Sequence, residues 1–232
     1  MKGVILTNGY GIRFRPFTYL VNKSVLPVYD KPIIYFPIRT LLSAGIDDIL
    51  INAHNPEEFE KVLRDENFPA KITFVHEDMP RGTKFSLYGM RSLIQDEPIL
   101  VVLGDMYLPF KVSIPRKLEN CTVFVSSHYD PKKISEYGVA ELDGDRVISF
   151  QEKPKDPKGK HVHMGTTFFP KDLIARIEEA EIKEGEHLTD LANQFLRIGR
   201  LFAKVHGQPW FNVGTPEDAL LAALFRREQI RG

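Results

Sequence analysis

Short apolar runs punctuated by glycine and proline organise the first hundred or so residues. Val4-Ile5-Leu6 runs directly into Asn8-Gly9-Tyr10-Gly11, the pattern of a buried strand followed by a tight loop. Pro32 precedes the mainly apolar stretch 33–44 and Gly45 follows it, the asymmetry expected of a helix. Ile49-Leu50-Ile51 predicts a second strand, residues 56–64 a second helix and 72–75 a third strand. Residues 85–94 predict a helix, and 99–103 a fourth strand that stops at Gly104-Asp105. Continuous apolar strands alternating with helices suit a parallel sheet covered on both faces. The expected fold class is therefore α/β, with a mostly parallel central sheet, helices on both sides and a small antiparallel portion later in the chain.

After Asp105 the rhythm changes. Residues 122–126 read as a strand, and 139–142 and 147–150 flank Asp143-Gly144-Asp145 as a hairpin would. Residues 155–161 form a polar, Lys-rich loop, and 166–169 a further strand. Helices are expected near 172–180 and 189–199, short strands at 202–205 and 210–213, and a last helix from Pro216 through Phe225. No repeat or linker interrupts the pattern, so one domain over 1–232 is expected.

Composition narrows the chemistry. Hydrophobic residues make up 43% of the 232 and charged residues 27%, an ordinary globular balance. The 31 basic and 31 acidic residues cancel, so no net field attracts nucleic acid or an anionic membrane. The single cysteine, Cys121, sits in an apolar run and reads as a core thiol; a chain with one cysteine forms no internal disulfide, which suits a reducing cytoplasm. No signal peptide is expected at the N-terminus, and no apolar run of about 18 residues occurs elsewhere. Tyr35, Phe36, Trp210 and the aliphatic last helix could serve a homo-oligomer interface, with core packing as the alternative.

Three strand ends carry candidate chemistry. In open α/β sheets, ligands bind beyond the carboxyl ends of the strands. At the first end, Gly9 and Gly11 allow close backbone approach, while Arg13, Arg15 and Lys23 offer charge to phosphate oxygens. Neither GxxxxGK[ST] nor GxGxxG is present there, which argues against a P-loop and against a dinucleotide-binding oxidoreductase. At the second end, Asp105 is placed to hold Mg²⁺ beside phosphates, or is a turn aspartate. At the third, Glu152 and Lys153 precede Pro154 as a sugar-and-phosphate pair, or as a solvated ion pair.

Taken together, Leu6-Thr7-Asn8-Gly9-Tyr10-Gly11-Ile12-Arg13-Phe14-Arg15-Pro16 and Lys23-Ser24-Val25-Leu26-Pro27-Val28-Tyr29-Asp30-Lys31-Pro32 resemble the opening of the sugar-phosphate nucleotidyltransferases. The short-form glucose-1-phosphate thymidylyltransferases are the nearest of these. Gly104-Asp105, Tyr137-Gly138, Glu152-Lys153-Pro154, Gly165, Leu188-Thr189-Asp190 and Gly214-Thr215-Pro216 follow in family order over nearly the whole chain. The resemblance implies a nucleotide-binding half at 1–110 and a sugar-phosphate-binding half at 111–232. It places Leu6, Asn8, Gly9, Gly11, Glu77 and Gly82 at the nucleotide, and Arg13 and Lys23 on its phosphates. Gly138, Glu152, Lys153 and Gly165 fall at the sugar phosphate, and Asp105 and Asn212 at Mg²⁺. The implied reaction joins a nucleoside triphosphate, dTTP or UTP, to a hexose 1-phosphate such as glucose 1-phosphate, releasing pyrophosphate.

The departures leave an alternative. Asn8 stands for a family glycine, Ile12 for a hydroxyl residue, Glu77 for a usual glutamine, His187 for an acid, and Asn212 for an aspartate. Phe85 stands where a small residue or glutamine is usual. A catalytically impaired relative, binding nucleotide sugars as a regulator or partner subunit, is the second reading. The missing C-terminal extension makes a family-type regulatory nucleotide site unexpected.

Overall fold

Buried apolar strands form where the sequence places them. The computed structural model describes residues 1–7, 9–179 and 185–232. Asn8 and Ala180, at the end of one expected helix, lie outside the described residues. In Lys2–Leu6 every residue from Gly3 on is buried. It lies parallel to Asp48–Ala53, with Leu6 opposite Asn52. Asp48–Ala53 is in turn parallel to Lys71–His76, with Ala53 opposite His76. Parallel neighbours require crossovers, supplied by the helices Tyr35–Ser43 and Pro56–Leu63. Gly45 follows the first of these at φ 82°, a conformation that L side chains rarely adopt.

These elements belong to one of two compact units, made of Gly3–Pro80, Val102–Ser113 and Trp210–Gly232. Phe14, Val28, Ile33, Phe36, Tyr107 and Val213 form an apolar cluster within it. The last helix, Pro216–Arg231, starts at a threonine cap: Asp218 N donates to Thr215 Oγ1 at 3.1 Å. Arg226 then reaches Asp30 at 2.9 Å. A short antiparallel ladder sets Asn212 opposite Met106, and Val213 N donates to Asp105 O at 2.8 Å. Two positions about a hundred residues apart in sequence thereby become neighbours.

The other unit comprises Met1–Lys2, Arg81–Val101 and Ile114–Pro209. Its strands overturn the expected mostly parallel sheet. His161–Phe169 runs antiparallel to Cys121–Ser126 and to Gly138–Asp143. Arg146–Glu152 runs antiparallel to Gly138–Asp143 and to Leu201–His206. Leu201–His206 is parallel to Cys121–Ser126. The sheet is mixed because Gly144, at φ 61°, reverses the chain in a hairpin where a helical crossover would have kept the direction.

Two further expectations are corrected. The helix expected at 85–94 is two pieces, Thr83–Gly89 and Arg91–Ile94. The strand expected at 166–169 is nine residues long, His161–Phe169. Gly165 disguised it: this residue, at φ 60°, sits in an irregularity between His163 and Thr166 that a pattern reading takes for a break. Phe124, Phe168, Phe169 and Phe195 are fully buried in this unit. Cys121 is buried too, and burial pushes its thiol well above the usual range, as suits a core residue. No helix among the described residues is long and apolar enough to cross a membrane.

Candidate active site

The loop after Lys2–Leu6 is held in one conformation by local bonds. Gly9 N donates to Thr7 O at 2.9 Å, and Thr18 Oγ1 to Gly11 O at 2.8 Å. Gly11 lies in the left-handed region at φ 57°, and a Cβ there would meet Thr18 Cγ2 at 2.7 Å. Only glycine meets both demands. Phe14 is buried and anchors the turn, leaving Arg13 and Arg15 exposed beside it. A Cβ on Gly214 would come within 2.9 Å of the Arg13 guanidinium, so the bare backbone there makes room for Arg13. Lys23 Nζ donates to Asp105 Oδ2 at 2.6 Å. A Cβ on Gly104 would collide with Thr7 and approach Ser24, so glycine lets the two strand ends close up.

Asp105 and Asn212 sit on neighbouring segments, which the bond from Val213 N to Asp105 O joins. Asp105 Oδ1 and Asn212 Oδ1 are both buried and have no hydrogen-bond partner among the described residues. A buried acceptor without a partner costs about 1–3 kcal/mol. Two such oxygens on adjacent chain segments are the donor set that a hard divalent cation takes from a protein when phosphates complete its shell. The residues present therefore fit such an ion. Among the described residues no group of three or more His, Cys, Asp or Glu side chains is placed to hold a metal.

Beside the loop, Asn52 is a contributor that the sequence pattern does not single out. It is 1% exposed. Its Oδ1 accepts from Thr7 N at 2.7 Å, and its Nδ2 donates to Glu77 Oε2 at 2.7 Å. Thr7 Oγ1 also donates to Asn52 O. The available signal was a lone amide inside the apolar run Ile49-Leu50-Ile51-Asn52-Ala53. A cleft of about 350 Å³ opens here, lined in part by Gly9, Tyr19, Lys23, His54, Asp78 and Pro80.

In the other unit, the expected sugar-side residues Gly138, Glu152 and Lys153 gather around two paired strand ends, whereas Gly165 lies within the strand His161–Phe169. Thr189 Oγ1 donates to Glu152 Oε2 at 2.6 Å, and Lys153 Nζ lies 3.6 Å from Glu152 Oε1. Lys153 adopts φ 41°, and its N donates to Tyr137 O at 3.0 Å. A lysine in the left-handed region is a strained feature of the kind that collects at functional sites. Gly138 packs against His163 and Phe150, where a Cβ would be 3.3 Å from each. His187 and Asp190 cap the helix Leu188–Arg197: His187 N donates to Asp190 Oδ2 at 2.7 Å. Asp190 is thereby committed to the helix start. Gly82 stands at φ 108°, and a Cβ there would meet Glu186 O at 2.5 Å. Nearby, Lys84 is 3% exposed and pairs with Glu186 at 2.8 Å, a contact the sequence did not suggest.

A glycine loop carrying Arg13 and Arg15, two oxygens without a partner among the described residues, and a carboxylate–ammonium pair make up the chemistry. The nucleotidyl transferase family matches residues 2–229. The chain belongs to that family. A glucose-1-phosphate thymidylyltransferase of Mycolicibacterium smegmatis is 32% identical over 237 residues, covering 98% of this chain and 82% of the relative. One from Xanthomonas campestris is 33% identical, covering 97% and 80%. Among solved structures, a Bacillus anthracis protein described as a glucose-1-phosphate thymidylyltransferase, in complex with sucrose, superposes with a TM-score of 0.88 at 26% identity. That match covers 98% of this chain and 96% of that one. A UDP-glucose pyrophosphorylase solved with UDP-glucose gives a TM-score of 0.82 at 20% identity, covering 98% of both chains, and so shares the fold. The chain is an enzyme of the sugar-1-phosphate nucleotidyltransferase type.

Within this family member, Leu6, Gly9, Gly11, Arg13, Lys23, Glu77, Asp105 and Asn212 all fall in one unit. Gly82, Gly138, Glu152, Lys153 and Gly165 all fall in the other. The impaired-relative reading is not favoured. Asn212 keeps a buried carbonyl oxygen without a partner among the described residues, which is the part of an aspartate that a cation uses.

Proposed function

We propose that this enzyme joins a nucleoside triphosphate to a hexose 1-phosphate, giving an NDP-sugar and pyrophosphate. The observation that carries the reading is the pair of buried, unpartnered oxygens on Asp105 and Asn212, next to Lys23 and the Gly9–Arg13 loop. Gly9 and Gly11 give the triphosphate close access to backbone N–H groups. Arg13 and Lys23 neutralise its phosphate oxygens, and Arg13 takes up charge as pyrophosphate leaves. Lys153 holds the sugar phosphate, and Glu152, oriented by Thr189, accepts from sugar hydroxyls. A sugar-phosphate oxygen attacks the α-phosphorus, the α–β bridging bond breaks, and its electrons leave on pyrophosphate. A phosphate monoester is already largely ionised near neutrality, so no base is needed to activate it. Catalysis then rests on position and on fixed charge. Mg²⁺ is the proposed metal; held by Asp105 and Asn212, it would supply further neutralisation of phosphate charge.

The relatives' names point to glucose 1-phosphate as the first sugar to try, and kinship points to dTTP or UTP as the first nucleotides. The test is pyrophosphate release with Mg²⁺ across the common nucleoside triphosphates, each paired with a panel of hexose 1-phosphates. Release that requires both substrates supports the reading. Release from triphosphate alone, or none with any pair, overturns it.

A further inference from the structure

Lys23 reaches Asp105 from a short turn whose anchor lies on another element. The turn Lys23–Val25 opens at Asn22, whose Oδ1 accepts from Ser24 N at 2.8 Å. Asn22 Nδ2 donates to Thr7 O at 3.2 Å, and Thr7 O also accepts from Gly9 N at the start of the glycine loop. Asn22 N donates to Glu58 Oε2 at 2.7 Å. Asn22 thus ties together the turn that carries Lys23, the start of the glycine loop and the helix Pro56–Leu63. Gly9, Asn22, Lys23 and Glu58 all line one cleft.

Glu58 departs from the usual service of a glutamate at its place. It is the third residue of Pro56–Leu63, after Asn55 at the cap. In a capping box, a glutamate there reaches back to the backbone N–H of the cap residue. Here Oε2 instead serves the backbone of Asn22, 36 residues earlier, and Oε1 accepts from the Asn55 side chain at 3.2 Å. A bond from N–H to a carboxylate is shorter and stronger than one between neutral groups. The helix therefore holds the turn by a charged contact that its own capping does not need.

The consequence falls on Lys23. A lysine is a point charge on a long flexible stem, so its place depends on where the backbone holds its Cα. Its ammonium lies 2.6 Å from Asp105, with the side chain 16% exposed. The residue directly before it is the one that Glu58 grips. We propose that Glu58 is a positioning residue: by holding Asn22 N, it sets Lys23 against Asp105 and beside the glycine loop, where a triphosphate meets all three in fixed places. This rests on the nucleotidyltransferase reading above, which gives Lys23 to the phosphates. Glu58 acts through Lys23, so its effect vanishes when Lys23 is gone.

The experiment compares the wild type with Glu58→Ala, Glu58→Gln, Lys23→Ala and the double variant of Lys23→Ala with Glu58→Ala. Glutamine keeps an acceptor for Asn22 N, and the exposed Asn55 can turn its own amide over to match. Pyrophosphate release is followed with the triphosphate and hexose 1-phosphate that the wild type uses fastest, Tm is measured for each protein, and the crystal structure of Glu58→Ala is solved. Glu58→Ala should lower kcat/KM for the triphosphate by about ten- to a hundred-fold, leave the KM for hexose 1-phosphate within about two-fold, and show Lys23 Nζ off Asp105. Glu58→Gln should restore most of that loss, and both variants should melt within a few degrees of the wild type. In the Lys23→Ala background, Glu58→Ala should cost less than about two-fold more. Unchanged kcat/KM in Glu58→Ala, losses that multiply in the double variant, or Lys23 still bonded to Asp105 in the variant structure would each overturn the proposal. If Glu58→Ala does not fold, Glu58→Asp takes its place: it keeps the charge, is one methylene shorter, and should show the same split between the two substrates at smaller size. A wild type silent with every substrate pair would sink the functional reading, and the position of Lys23 in the variant structure would still decide what Glu58 does.

Discussion

Asp105 uses its two oxygens differently. Oδ2 accepts from Lys23, and Oδ1 is buried with no partner among the described residues. Asp105→Asn removes the charge while keeping the shape, and should lower metal-dependent turnover by about 10²-fold or more with little change in Tm. Turnover within a few-fold of wild type would remove Asp105 from the mechanism. Lys153 is the corresponding test for the sugar phosphate. Its side chain is 56% exposed and lies 3.6 Å from Glu152, so its loss should cost little stability. Lys153→Ala should raise the KM for sugar phosphate more than the KM for triphosphate, and the reverse pattern would exchange the assigned roles. Both residues were legible in the sequence because a carboxylate after Gly104 and a lysine before Pro154 stand at strand ends. Asn52 and Lys84 were not. Each is a polar residue within an element, and only the fold brings Thr7 and Glu77 to the first, or Glu186 to the second.

At the scale of elements, two glycines should respond differently to alanine. Gly11 needs a left-handed backbone, and its Cβ would press on Thr18 at 2.7 Å. Gly11→Ala should destabilise by roughly 1–2 kcal/mol from the backbone alone, and lower Tm. Gly214 has no such backbone demand, but its Cβ would sit 2.9 Å from the tip of Arg13, a flexible side chain. Gly214→Ala should leave Tm nearly unchanged while displacing Arg13 and lowering kcat. Equal loss of stability in the two variants would show that Gly214 is structural. The alternation of strand and helix foretold the parallel set of Lys2–Leu6, Asp48–Ala53 and Lys71–His76, because apolar runs joined by helices leave few other solutions. It misled for the later strands. Direction there is set by hairpins such as the one at Gly144 and by long-range pairing, which local periodicity does not encode.

For the whole molecule, the balance of charges hides a directional response to acid. Burial lowers the imidazole pKa of His161, helped by Lys160, and that of His206, helped by Lys204. It lowers His163 as well, against the opposing pull of the Thr166 carbonyl and Glu152. In each case the unfolded chain binds a proton that the folded chain resists. Stability is therefore full above the ordinary histidine value of 6.5 and falls as pH drops through it toward the folded values. A second loss lies lower. Burial alone would raise Asp30 and Asp172, but Arg226 outweighs it at Asp30, and Arg200 with Arg176 outweighs it at Asp172, leaving both below 3.8. Their contribution is present above that value and is lost as pH falls through the folded pKa. Thermal melts from about pH 8 to about pH 3 should show a decline that begins near the histidine value and steepens below roughly pH 4. A Tm that stayed flat between about pH 8 and pH 5 would mean that the unfolded chain shields these histidines from protons as well as the fold does. Because the formal charge is zero at neutrality, self-repulsion adds little at the start of that decline. Its first phase should therefore report the histidines, and should depend only weakly on salt.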